Sequence, residues 1–240
     1  MKNFFQKNNV KGGSAESCMK SLMKNLSKKR IFMFFFIGIF CFLLLLLALL
    51  YKNHITNTQN NKEFTIEKRL LQHEPTIKKE LEKYNLSDKT TILLGIMYQE
   101  SRGEGTDPMQ SSESLGLKPN EIQDINLSIE QGIKHFVKMY KYGIQKNLGI
   151  DTIIQSYNMG PGYIDFIANQ EGKQHSEELA KQFSKEKVDQ SPDLYTCGGN
   201  KKNFRYPYCY GDFTYATKVN AKTKVVEEFL RKQQDQNHNS

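Results

Sequence analysis

TTILLGIMYQESRGEGTDPMQSSESLG, residues 90–116, starts as an apolar run and ends in a polar loop. Ile92, Leu93, Leu94, Ile96, Met97 and Tyr98 would put apolar groups on nearly every side of a helix. A helix that is apolar all round belongs inside a fold rather than on its surface. Ser87 or Asp88 can cap its start, and Gly103 and Gly105 can stop it. One carboxylate, Glu100, then falls in the last turn, beside a loop open to solvent. Burial disfavours the charged form of a carboxyl, and the negative end of the helix dipole acts in the same direction. A carboxyl that keeps its proton near neutral pH is what a general acid requires. The plainer alternative is a Glu that closes a helix end or pairs with Arg102.

The flanking residues bear on that choice. Glu100-Ser101, followed by Asp107-Pro108-Met109-Gln110-Ser111-Ser112-Glu113-Ser114, resembles the lysozyme-like domain of Gram-positive conjugative-element cell-wall hydrolases. These are relatives of goose-type lysozymes and soluble lytic transglycosylases. Gln155-Ser156-Tyr157-Asn158-Met159-Gly160 is similar to the family's A-Y-N-x-G, with Ser156 in place of the usual Ala. Tyr215-Ala216-Thr217-Lys218-Val219 is similar to its closing Y-x-x-x-V helix, and Glu178 to Ser184 also looks family-like. The blocks keep the family's order from roughly Phe64 to Leu230.

The resemblance implies a mainly α, lysozyme-like fold. It also implies cleavage of the β-1,4 bond between N-acetylmuramic acid and N-acetylglucosamine in peptidoglycan, with Glu100 protonating the leaving oxygen. A hydrolase that inverts configuration also needs a base, its carboxyl roughly 6.5–9.5 Å from the acid. Asp107 and Glu113 are the sequence-adjacent candidates. The expectation is such a muramidase-type hydrolase; the alternative is a lytic transglycosylase, which needs no second carboxylate because the muramic acid's own 6-hydroxyl attacks and an anhydro end forms. Ser101, Gln110, Ser111, Tyr157, Asn158 and Tyr215 are candidate substrate contacts. A reading from another class is a catalytically idle peptidoglycan-binding module that serves as an assembly factor for a conjugation or secretion channel.

Outward from this centre, residues 1–30 form a basic tail. Its Lys2, Lys7, Lys11, Lys20, Lys24, Lys28, Lys29 and Arg30 face one acid, Glu16, and account for most of the chain's net charge of +8. A solvated tail explains the high pI, so no nucleic-acid partner is expected. Residues 31–51, IFMFFFIGIFCFLLLLLALLY, are uncharged and almost wholly apolar. About twenty such residues cross a bilayer core. The run is longer than a cleaved signal's apolar region and lacks a small-residue cleavage site. The basic side predicts a cytoplasmic N-terminus. The expectation is a single-pass anchor in the cell membrane with the remainder outside, facing the wall.

Residues 52–62 read as a polar linker, 63–232 as a helical catalytic domain and 233–240 as a disordered tail. Strand signals are confined to the aromatic stretch Phe204 to Tyr215. Ser128-Ile129-Glu130-Gln131 is a capping-box pattern. Asp151 can cap the helix that ends before Gly160-Pro161-Gly162. Cys197 and Cys209 share the external compartment and can bridge the loop between them. The competing reading makes Cys209 a peptidase nucleophile. Many relatives carry a cysteine-peptidase domain after this one, whereas here only His238 lies downstream, in a polar tail. No clustered ligands suggest a metal, and no G-x-x-x-x-G-K or G-x-G-x-x-G suggests a nucleotide cofactor.

Overall fold

The computed structural model describes the backbone of residues 14–238 and the side chains of Met33, Phe40 and residues 42–235. The chain divides into two compact units, residues 1–61 and 62–240. Helix α1 (Ser14–Leu71) forms the described part of the first and opens the second. Among the described residues, no helix is long and apolar enough to cross a membrane. The expected anchor falls partly outside them, at residues 31–32, 34–39 and 41. Where it is described, from Phe42 to Tyr51, its large apolar side chains are exposed. The first thirteen residues of the basic tail also lie outside the described residues.

The second unit is helical, and no strand occurs among its described residues. Ile66 and Leu70 at the end of α1 are buried. Pro75 lies in the first turn of α2 (Glu74–Glu82), where a missing N–H removes no helical bond. Helix α3 (Thr90–Glu100) is the central element. Leu93, Leu94, Ile96 and Met97 are fully buried. Neither Ser87 nor Asp88 caps it. Ser87–Lys89 form a 3-10 turn that leads directly into the helix, and Thr90 Oγ1 donates back to the Ser87 carbonyl at 2.7 Å.

Helix α4 (Ile125–Gln145) starts three residues before the expected capping box. Asp124 caps it, accepting from the Asn126 and Leu127 N–H groups at 2.8 and 3.4 Å. Ser128 is thereby left inside the helix, free to bond elsewhere. Gly149, not Asp151, precedes α5 (Ile150–Met159). Gly160, with φ 75°, turns the chain into α6 (Pro161–Ala168), and a side chain there would be strained. Ser176 caps α7 (Glu177–Gln190) by accepting from the Leu179 N–H. The last helix, α8 (Tyr215–His238), runs through most of the stretch expected to be a tail. Gln233, Gln234 and Gln236 are good helix formers that let the helix continue there.

The aromatic stretch Phe204–Tyr215 forms turns leading into α8 rather than a strand. Its rings pack on one another instead of lining a ladder, with Phe204 and Tyr208 each 5.9 Å from Phe213. Cys197 and Cys209 are bonded across this loop, Cα to Cα 5.0 Å. Closing a loop of 12-residue separation stabilises a fold by about 3 kcal/mol. Converting both cysteines to serine should lower the urea midpoint by a corresponding amount, and an unchanged midpoint would refute it.

α3 and α8 touch backbone to backbone at Gly95. A Cβ there would lie 2.2 Å from Thr223 Oγ1 and 3.1 Å from Thr223 Cα. Gly95→Val should force the helices apart at a cost of about 2 kcal/mol. A melting temperature within a degree of wild type by circular dichroism would contradict this.

Candidate active site

Glu100 is the last residue of α3. Beyond it the chain turns sharply through Arg102 (φ 59°) and Gly103 (φ 70°). Ser101 ties this turn together, accepting from the Gly103 N–H at 3.0 Å and donating to the Pro108 carbonyl at 2.7 Å. Both functions of its hydroxyl are therefore used by the loop rather than directed at the cleft. Arg102 is exposed, and the partner of Glu100 is instead Tyr215, whose hydroxyl donates to Oε1 at 2.5 Å.

Several forces set the Glu100 proton. Burial pushes its pKa up and is the largest. The Tyr215 hydrogen bond favours the ionised form and pulls it down, while the negative charges of Asp107 and Asp212 push it up again. The balance lies at about 7. A carboxyl so poised can give a proton at neutral pH and take one back.

Two tyrosines frame the acid. The Tyr157 and Tyr215 rings stack with centroids 6.3 Å apart and planes 6° from parallel. Burial and the nearby Glu100 hold both phenols well above their ordinary pKa, so both stay neutral. Tyr157 donates to the Met109 carbonyl at 3.1 Å. His135 packs edge-on against its ring at 4.8 Å and donates from Nε2 to its carbonyl at 2.9 Å. The bond fixes the Nε2–H tautomer, and burial holds the imidazole below its ordinary pKa.

Asp107 is 2% exposed. Its Oδ1 accepts from the Ser111 N–H, the Ser111 hydroxyl and the Ser128 hydroxyl at 2.9, 3.3 and 2.7 Å. Its Oδ2 accepts from the Ser112 N–H and hydroxyl at 3.1 and 2.6 Å. Burial pushes its pKa up, but these donors outweigh burial and hold it below the usual carboxylate value. The carboxylate fastens the loop of residues 107–112 to α4. The Ser111 hydroxyl also donates to the Ser128 carbonyl at 2.9 Å, so it too is spent on this fastening.

A cleft of about 600 Å³ opens beside these groups. Gln110, Ser111, Glu113, Tyr157 and Asn158 line it, with Ser114, His135, Met159, Gly160, Tyr195, Tyr210 and Gly211. Glu100 is not on its wall, but Tyr157, which lines it, is close enough to Glu100 to feel its charge. Gln110 donates to the Asp107 carbonyl and to Asn120 Oδ1. Asn158 Oδ1 accepts from the Asp212 N–H at 2.6 Å. Glu113 is exposed at the rim.

Of the residues singled out in the sequence, Glu100 and Tyr215 are joined directly, and five others share the cleft. Ser101 and Asp107 are built into the loop. Sequence reading missed Asp212, His135, Tyr195 and Tyr210. Asp212 has a visible local role, bonding the Thr214 N–H and hydroxyl, that gives no sign of its bearing on Glu100. His135 reads only as one polar position on an amphipathic helix.

The family model described as lysozyme-like matches residues 67–223. The chain is 56% identical over 200 residues to a Bacillus subtilis protein named "Uncharacterized membrane protein YocA", covering 83% of this chain and 88% of that one. It is 36% identical over 143 residues to pneumococcal vaccine antigen A of Streptococcus pneumoniae, covering 60% and 67%. It is 44% identical over 98 residues to the bifunctional muramidase/DL-endopeptidase CwlT of Bacillus subtilis, covering 41% of this chain and 29% of CwlT. A solved structure from Staphylococcus aureus, described as similar to lipoprotein, NLP/P60 family, superposes with a TM-score of 0.54 at 36% identity. That match covers 65% of this chain and 52% of the solved one, so the chain spans about half of that structure's length.

Proposed function

The chain belongs to the lysozyme-like family, and we propose that it cleaves the β-1,4 bond between N-acetylmuramic acid and N-acetylglucosamine of peptidoglycan. The enzyme is a glycosidase or a lytic transglycosylase. The observation that carries this reading is the Glu100 carboxyl, half-buried, hydrogen-bonded to Tyr215 and with its pKa raised to about 7. In the ground state, burial and the charges of Asp107 and Asp212 keep the proton on Glu100. As it passes to the leaving oxygen, the Tyr215 hydroxyl stabilises the carboxylate that forms. The Tyr157 and Asn158 side chains at the cleft are suited to the sugar ring and its acetamido group.

One observation favours a transglycosylase over an inverting hydrolase. Asp107 accepts five hydrogen bonds and has no capacity left to activate a water. Glu113, exposed at the cleft, is the remaining candidate base. Without one, the muramic acid 6-hydroxyl attacks and Glu100 takes its proton. Mass spectrometry of digested muropeptides separates the two routes. Reducing ends mean hydrolysis, anhydro ends mean transglycosylation, and intact strands refute cleavage altogether.

The proposal places this domain outside the membrane, on an anchor formed by residues 31–51 behind a cytoplasmic tail of residues 1–30. The exposed apolar side chains of Phe42 to Tyr51 support it, as does the naming of the Bacillus subtilis relative YocA as a membrane protein. A tethered wall-cutting enzyme is suited to opening the wall locally for a conjugation or secretion apparatus, the role the family resemblance implies. Protease added to wall-less cells should remove residues beyond the anchor and spare the tail. Protection of the domain would overturn this topology.

A further inference from the structure

We infer that Gln155 is a positioning residue for this reaction: its buried amide fixes the turn Asp212–Ala216 so that the Tyr215 hydroxyl stays on Glu100. The inference rests on the reading of Glu100 as the proton donor. Gln155 lies on α5 and is 0% exposed. Its Nε2 donates to the Asp212 carbonyl at 2.7 Å, and its Oε1 accepts from the Ala216 N–H at 3.0 Å. The two bonded groups lie on either side of Tyr215 in the chain.

The first N–H groups of a helix have no partner within it. At α8, one of them is met by a side chain from another helix. Two neighbours on α5 strengthen the clamp. Asn158 Oδ1 holds the Asp212 N–H, and the Met159 carbonyl accepts from the Tyr210 hydroxyl at 2.9 Å. A buried amide costs free energy unless both its ends are bonded, and an apolar side chain would fill this helix face without that demand. What the amide adds is directional: it sets the start of α8 relative to α5, and so sets where Tyr215 points.

The groups that face Glu100 are Tyr215 from α8, Tyr157 from α5, Asp107 from the loop after α3 and Asp212 from the clamped turn. Lys218 is paired to Asp212 at 2.5 Å. Of these, Tyr215 alone donates to the carboxylate. If Tyr215 drifts, burial and the two carboxylates remain, and all of them favour the protonated acid. Gln155 therefore acts on the proton of a residue it does not touch.

The test uses the full-length protein in detergent, with clearing of a wall suspension followed across pH. Wild type, Gln155→Met, Tyr215→Phe and the double variant are compared. The alkaline limb of kcat/KM should move to higher pH by about one pH unit in each single variant. The double variant should move no further than either single. A folded Gln155→Met whose limb stays at the wild-type position would overturn the inference, as would a double variant whose shift is the sum. Should Gln155→Met not fold, the shorter, neutral Gln155→Asn withdraws the amide from both Asp212 and Ala216 without adding a charge near Glu100. It reads the same quantity with the same outcomes. A wild-type enzyme with no limb near pH 7 overturns the acid reading and this inference together. A normal wild-type limb with unmoved Gln155 variants overturns this inference alone.

Discussion

Replacing Glu100 with Gln should leave a folded protein that still binds cell wall and has lost most of its lytic rate. Gln keeps the shape of the side chain and can still accept from the Tyr215 hydroxyl. It has no transferable proton. Loss of acid catalysis alone removes roughly 10²–10⁴-fold in rate, and loss of the base role in the second step adds to it. Tyr157, Asn158 and the rest of the cleft are untouched, so wall binding by pull-down should match wild type. An idle binding module would show no lytic activity in wild type either, and near-normal clearing by Glu100→Gln would end the acid reading.

The same group predicts a pH dependence. Activity should fall as pH rises through about 7, because the donor loses its proton there. Stability follows with a definite sign. The folded value lies above the ordinary 4.5, so Glu100 contributes stability that is fully present below 4.5 and is lost as pH rises through about 7. Glu100→Gln should therefore weaken less than wild type between pH 5 and 8 in denaturant titrations.

What the sequence made legible was local. The apolar run of α3 announced a buried helix because nearly every side chain in it is apolar, whatever its neighbours turn out to be. Gly160-Pro161 announced a break because backbone geometry alone demands it. What stayed hidden was set by distance in the chain. Tyr215 reaches Glu100 from 115 residues away, and no periodicity encodes such a pairing. The expected caps at Ser87, Asp88, Ser128 and Asp151 failed for a related reason. Any of them is a sound local signal, but Asp124 competed better for α4, and Ser128 was taken by a buried carboxylate. The aromatic run before α8 has strand-like composition, yet its rings serve a disulfide-closed loop that packs on itself.

Asp107, beside the Glu100 motif, is expected to serve the fold rather than the chemistry, because its carboxylate is bonded within the loop and to α4. Asp107→Ala should be the most destabilising of the changes considered, on the order of 5 kcal/mol. It strips the partners from two backbone N–H groups and from the Ser112 and Ser128 hydroxyls in a buried site, while the Ser111 hydroxyl keeps the Ser128 carbonyl, and each orphaned buried donor costs roughly 1–3 kcal/mol with incomplete additivity. Asp107→Asn should cost less, about 2 kcal/mol, because one oxygen still accepts while the new NH2 opposes the Ser112 N–H. Acid should discriminate further. The folded pKa of Asp107 lies below the ordinary 3.8, so its contribution is present above 3.8 and is lost as pH falls through the folded value. Wild type should then lose more stability than Asp107→Asn on descending from pH 4 to 2. Below its melting temperature, Asp107→Asn should keep kcat within about tenfold of wild type. The small loss expected comes from Glu100, whose pKa would drop slightly once the neighbouring negative charge is gone. A variant of unchanged melting temperature whose kcat falls 10²-fold or more would mean that Asp107 is the water-activating base after all, and that its five donors release it when substrate binds.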